Sequence, residues 1–199
     1  MSPILLPPVP GGALLPRPRI VVLGDSLTSG HGIERRRAFP ALLQERIDEN
    51  GLRYVVVNEG ISGDTSAGGV RRVTPALALG AELLLLALGI NDGLRGVPAA
   101  QVKANLSTII TTAHERHIPV LLCRMEALPV YGWSYTTAFH RLYDELATLH
   151  SVPLVPFFLQ EVIGRPSLMQ SDQLHPNADG AKVIAELIWP HLLQALTTR

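Results

Sequence analysis

Four short polar segments hold residues whose types fit acyl-transfer chemistry. They are Gly24-Asp25-Ser26-Leu27, Ser62-Gly63-Asp64-Thr65, Gly89-Ile90-Asn91-Asp92 and Asp172-Gln173-Leu174-His175-Pro176. Acyl transfer needs an activated hydroxyl, a base within ~3 Å of it, a group that orients the base, and donors aimed at the developing oxyanion. Ser26 supplies a hydroxyl and His175 a base. Asp172, three residues before the histidine, can accept from the ring nitrogen that faces away from the serine, fixing the tautomer and stabilising the imidazolium. The backbone N–H groups of Ser26 and Gly63 and the side-chain amide of Asn91 are candidate oxyanion donors. Glycine at 63 lets backbone approach a substrate closely.

Each residue also has a plainer reading. Ser26 can cap a helix, Asp172 can be a solvent-facing loop acid, and His175 can cap the final helix. Asp25 is expected to brace its turn rather than act on substrate. Asp25, Asp64 and Asp92 are scattered, a pattern that fits bracing better than metal coordination, so no metal site is expected. His114 and His117 do not have the zinc spacing and read as surface residues near a helix end. His31 lies near Ser26 in sequence and could line the mouth of the site, but the mechanism does not need it. No lysine follows the first block's glycine, which argues against a nucleotide-binding P-loop. Ser26 lacks the flanking glycines of an α/β-hydrolase nucleophile elbow.

The elements that must position these groups alternate between strand and helix. Continuous apolar runs at Arg19–Leu23, Tyr54–Val57, Leu83–Leu88, Pro119–Leu122 and Val152–Val155 read as strands covered on both faces. Helical spacing links Phe39, Leu42, Leu43 and Ile47, with Gly51 as a stop. It also links Val102, Leu106, Ile109, Ile110 and Ala113, and again Phe139, Leu142, Tyr143, Leu146 and Leu149. Thr65–Leu79 reads as a helix with a break near Pro75, and a last helix runs from about Ala178 to Leu196 with a kink at Pro190. The result is a three-layer α/β domain with a mostly parallel sheet, spanning 20–199. Three of the polar segments follow strands one, two and three, so they project to one rim. Ligands bind beyond the carboxyl ends of such strands. Residues 1–19 hold six of the 16 prolines and are expected to form an extended arm or the altered remnant of a processed leader.

Composition narrows the partners. The 199 residues are 47% hydrophobic and 17% charged, so the chain is globular. With 17 basic and 17 acidic residues, formal net charge is zero, and no basic stripe points to nucleic acid. The apolar stretch Ala76–Ile90 is broken by Gly80 and Glu82 and falls short of the ~20 residues of a spanning helix. The lone Cys123 reads as a core residue.

The four blocks, in order and content, resemble the signature blocks of the SGNH (GDSL-type) hydrolases, over about Ile20–Leu196. The similarity is greatest to the bacterial thioesterase I / lysophospholipase / arylesterase branch. Supporting stretches include Asn91-Asp92-Gly93-Leu94-Arg95-Gly96 and Met169-Gln170 shortly before His175-Pro176-Asn177. The resemblance implies a flavodoxin-like sheet of five parallel strands in order 2-1-3-4-5. It implies Ser26 as nucleophile, Asp172 and His175 as its triad partners, and Gly63 and Asn91 in the oxyanion hole. It also implies a periplasmic or secreted enzyme, or a cytoplasmic one if the N-terminus is native as given. The third block departs from the pattern: Ile90 stands where this branch usually has a second glycine, so its side chain either tightens the floor of the site or reorients the loop.

The expected function is cofactor-independent hydrolysis of carboxylic esters, whether aryl or short-to-medium acyl esters, thioesters or lysophospholipids. Leu94, Val97, Met125, Leu128, Tyr131, Trp133 and Tyr135, in the loops after strands three and four, are the candidate acyl or aryl contacts. One rival is a carbohydrate O-acetyl esterase on the same scaffold. A non-catalytic binding module that kept the fold is another, and the intact set of candidate groups speaks against it.

Overall fold

The computed structural model describes residues 16–198, so most of the expected N-terminal arm lies outside the described residues. Five parallel strands form one sheet: β1 (Arg19–Gly24), β2 (Val55–Gly60), β3 (Leu83–Ala87), β4 (Val120–Cys123) and β5 (Leu154–Val155). Their spatial order is β2-β1-β3-β4-β5, as the resemblance implied. Among the described residues, seven α-helices connect and cover the strands: α1 (Ser26–Ser29), α2 (Phe39–Glu49), α3 (Ser66–Ala76), α4 (Ile90–Leu94), α5 (Ala99–His114), α6 (Trp133–His150) and α7 (Ala178–Thr197). Helix α5 packs between α3 and α6, while α2 packs on α7, giving a helical layer on each face of the sheet.

Burial explains why the central strands read so clearly. Every residue of β3 and β4 is buried, as are Ile20–Gly24 of β1, because helices cover both faces. Edge strand β2 is half-buried along its length and tolerates Asn58 and Glu59, so it runs further than its apolar part Val55–Val57. Strand β5 is shorter than expected because Pro153 has no N–H to pair; its carbonyl accepts from Leu122 instead. In α6 the core-facing stripe is Phe139, Leu142, Tyr143 and Leu146, whereas Leu149 is exposed. Helix α3 stops at Ala76, one residue past Pro75. Cys123 is fully buried in the core, and burial pushes its thiol far above the usual range.

The register sets up the site. Gly24 at the end of β1 pairs with Gly60 of β2 and Ala87 of β3. The three strands therefore end level, and the polar segments after them leave the sheet from one line.

Candidate active site

Ser26 is the first residue of α1, directly after β1. Asp25 caps the helix, its Oδ1 accepting from the Leu27 N–H at 3.0 Å. This short capped turn holds the Ser26 side chain at the rim with 8% of the residue exposed. As the first helical residue, Ser26 has a backbone N–H with no intrahelical acceptor.

The segment before α7 folds back over that rim. Gln173 takes a left-handed conformation (φ 55°), which turns the chain between Asp172 and His175. The bend brings the Leu174 and His175 N–H groups to Asp172 Oδ1, each at 3.0 Å. Asp172 Oδ2 lies 2.7 Å from His175 Nδ1, and His175 Nε2 lies 3.1 Å from Ser26 Oγ. The imidazole thus sits between a carboxylate and a hydroxyl. The hydrogen bond from His175's ring holds the Asp172 carboxyl well below the usual carboxylate range, and the two backbone N–H groups add to this. Asp172 stays anionic in neutral solution, as a group stabilising an imidazolium must.

The donor-bearing segments converge beside the serine's strand end. Gly63 follows β2 with φ +78°, a conformation that strains any side-chain-bearing residue, and it is exposed. Asn91 lies in α4, after β3, and its Nδ2 donates to the Asp64 carbonyl at 2.8 Å. One amide hydrogen anchors Asn91 to the Gly63 loop, and the other is available to an oxyanion. Gly89 starts this helix at φ 125°, and a Cβ there would overlap the Tyr143 hydroxyl, which donates to Leu88 O at 3.0 Å. Ile90, where a second glycine was expected, needs no positive φ. It is half-buried against the core, and the Asn91 anchor to Asp64 is kept.

The GDSL-like lipase/acylhydrolase family model matches residues 22–183, most of the chain and all four blocks. The chain belongs to this family. It is 40% identical over 174 residues to esterase TesA of Pseudomonas aeruginosa, covering 87% of each chain. It is 38% identical over 169 residues to thioesterase 1/protease 1/lysophospholipase L1 of Escherichia coli, covering 84% of this chain and 79% of that one. Among solved structures, the psychrotrophic esterase EstA from Pseudoalteromonas sp., inhibited by monoethylphosphonate, superposes with a TM-score of 0.86 at 30% identity. That match covers 89% of this chain and 98% of that one. Membership in a family of acylhydrolases, with relatives named as esterases and a thioesterase, makes the chain a carboxylic ester hydrolase.

The remaining acids of the blocks brace the GDSL-type site. Asp92 is buried, accepting from the Ser66 N–H at 2.8 Å and the Ser66 hydroxyl at 2.7 Å. Asp64 pairs with Arg72 at 2.6 Å. Among the described residues no group of three His, Cys, Asp or Glu side chains is placed to hold a metal ion. Asp25 is fully buried, with Oδ2 unpartnered. Burial first, with the carboxylates of Asp64 and Asp92 adding, raises its carboxyl from the ordinary 3.8 to about 7. Between these values the folded protein keeps a proton that the unfolded chain has released, so this group makes stability fall as pH rises from 3.8 to about 7. Asp25→Asn retains the Oδ1 cap and removes the proton equilibrium. Its melting temperature is expected to decline less than wild type's across that window, with the variant gaining on wild type as pH rises; parallel profiles would refute the assignment.

The candidate acyl contacts divide. Leu94, Leu128, Tyr131 and Trp133 are exposed, and Trp133 is 77% so. Tyr131 donates to Leu94 O at 3.1 Å and Tyr135, in the first turn of α6, to Val97 O at 2.9 Å, which ties the segment after β4 to the segment after β3. Val97 and Tyr135 are partly buried against the core. Met125 corrects the expectation: it is fully buried in the core just past β4 and presents no surface to a ligand.

His31, read from sequence as able to line the mouth, does lie there, while Gln170 and Arg72 were not singled out for their contacts here. The His31 ring sits 4.6 Å from the His175 ring, on the site's edge. Gln170 Nε2 donates to His31 O at 2.7 Å and to Pro176 O at 2.9 Å, tying the triad loop to the loop after α1. Arg72 reaches the ends of two strands. Met169-Gln170 gave a signal through the family resemblance; Arg72 gave none, because its partners are distant in sequence.

Proposed function

We propose that this chain is a serine esterase working through an acyl-enzyme on Ser26. The observation that carries the reading is the continuous chain of contacts from Ser26 Oγ through the His175 ring to Asp172, at 3.1 and 2.7 Å. Ser26 Oγ attacks the acyl carbonyl while His175 Nε2 takes its proton. Asp172 holds the ring through Nδ1 and stabilises the imidazolium. The carbonyl oxygen becomes an oxyanion that receives the Ser26 and Gly63 N–H groups and the free amide hydrogen of Asn91. Collapse of the tetrahedral intermediate expels the alcohol or thiol, which receives the proton from His175. Water, deprotonated by His175, then attacks the ester on Ser26, and the acid leaves as the serine regains its proton.

For substrate we propose aryl esters and medium-chain acyl esters and thioesters. The exposed apolar side chains of Leu94, Leu128, Tyr131 and Trp133, on the segments that follow β3 and β4, support a hydrophobic acyl or aryl group. The thioesterase and lysophospholipase names borne by the E. coli relative support acyl chains of some length. Among the described residues no helix is long and apolar enough to cross a membrane. The test is a series of p-nitrophenyl esters of rising chain length, beside an acyl-CoA and a lysophospholipid. Each methylene buried against these side chains is worth at most ~0.8 kcal/mol, so kcat/KM should rise by up to roughly fourfold per methylene before levelling. Trp133→Ala should flatten the rise while leaving the acetate rate unchanged. A preference for acetate that survives Trp133→Ala, with turnover of acetylated sugars, would overturn this choice of substrate.

A further inference from the structure

We infer that Arg72 is a positioning residue for the oxyanion site, holding its three donor-bearing segments in register through Asp64. The inference rests on the oxyanion reading above and adds a residue that touches no substrate. Arg72 projects from α3, and all three guanidinium nitrogens are engaged. Nε donates to Asp64 Oδ2, Nη1 to Glu59 O and Nη2 to Gly24 O, each at 2.6 Å. The pair is shielded from solvent, with side-chain exposures of 15% for Arg72 and 11% for Asp64. Charge-assisted bonds at such sites are short and directional.

The partners matter more than their number. Gly24 stands two residues before Ser26, at the end of β1. Glu59 lies near the end of β2, the strand that leads into the Gly63 turn. Asp64 directly follows Gly63; its Oδ1 accepts from the Thr65 N–H at 3.0 Å, and its carbonyl accepts from Asn91 Nδ2 at 2.8 Å. One guanidinium and one aspartate therefore link the segments that carry the Ser26 N–H, the Gly63 N–H and the Asn91 amide. Gly63 most needs such a tether. It is an exposed glycine in a left-handed turn, and glycine has the most conformational freedom to lose. Further restraints on the turn are the Asp64 N–H to Ile61 O bond that closes it at 3.1 Å and the exposed contact from Arg95 Nη2 to Gly63 O at 3.0 Å. Donors preorganised for an oxyanion act only if they are fixed before the charge appears.

A strut that merely stabilised the fold would lower the melting temperature without a selective effect on turnover. The experiment is a double-mutant cycle on p-nitrophenyl acetate, well below the melting temperature of every variant. Arg72→Lys keeps a charge but supplies no three-pronged fork. It is expected to lower kcat about 10- to 100-fold, the scale of a small misplacement, with KM nearly unchanged. In the Asn91→Ala background the same substitution should cost measurably less than in wild type, because one of the three donors it positions is already gone. Asp64→Asn, which removes the acceptor that faces Arg72 Nε, should behave likewise and serves if Arg72→Lys does not fold. Equal losses in both backgrounds, or a folded Arg72→Lys with wild-type kcat, would overturn the inference while leaving Asn91 as a donor. An unaffected Asn91→Ala would instead overturn the oxyanion reading, and this inference with it.

Discussion

Replacing Ser26 with alanine is expected to lower kcat on carboxylic esters by on the order of 10⁶, and adding His175→Ala should cost almost nothing further. The size follows from what is lost. Without Oγ there is no nucleophile, no acyl-enzyme and no proton for His175 to move, and what remains is binding and oxyanion stabilisation around a water attack. The non-additivity follows from the geometry: Ser26 Oγ and His175 Nε2 are 3.1 Å apart and form one proton-transfer unit, so removing either disables both. Asp172→Asn should cost less, about 10⁴, because it leaves the two reacting atoms in place and mis-sets the tautomer. Ser26 is small and Asp172 is substantially exposed, so neither substitution opens a large cavity, and thermal melting should confirm folded variants. Single losses that multiply in the double variant would mean the residues act independently, contrary to the contact chain.

The second large effect is expected at Asn91. Its amide meets an oxyanion that exists only in the tetrahedral intermediate and its flanking transition states, so it lowers the barrier without tightening ground-state binding. Asn91→Ala should reduce kcat by ~10²–10³ and leave KM nearly unchanged, the loss seen for a side-chain oxyanion donor in another serine hydrolase. Asn91→Asp should be at least as damaging. It is nearly isosteric, but it faces both the developing negative charge and the Asp64 carbonyl that the amide now satisfies at 2.8 Å. Had Ile90 swung the loop away from the site, the loss would be only a few-fold. The half-buried placement of Ile90 and the anchor to Asp64 predict the larger one. Initial rates at saturating substrate, with melting checked for each variant, decide between the two.

What was legible in the sequence follows from where the information is local. Strands β1, β3 and β4 could be read because burial on both faces forces unbroken apolar runs, and the long helices because one face repeats. The order of the strands came from the family resemblance, since apolar runs say nothing about which neighbour a strand pairs with. The helices α1 and α4 were not expected as elements. They are four and five residues long, too short for a periodic face, and they are set by local features: the Asp25 cap and the left-handed Gly89. Three of the chemical segments were correctly assigned to the ends of the first three strands, because polar residues that break an apolar run mark where a strand leaves the sheet. The role of Arg72 was hidden. In sequence it is one of two adjacent arginines in a helix, and its meaning comes from a carbonyl 48 residues away. Met125 was misplaced for a related reason: a methionine just past a strand suits a loop contact or the core, and only packing decides.

The central claim is that Ser26 is the nucleophile. Incubation with a p-nitrophenyl alkylphosphonate, followed by intact mass and peptide mapping, tests it most directly. The phosphonyl oxygen mimics the oxyanion, and the adduct cannot be released by the deacylation step. The account predicts one phosphonyl group per chain, located on Ser26, with activity lost in proportion to labelling and no adduct on Ser26→Ala. Full activity in the presence of the phosphonate with Ser26 unlabelled, or inactivation with the adduct on another residue, would contradict it.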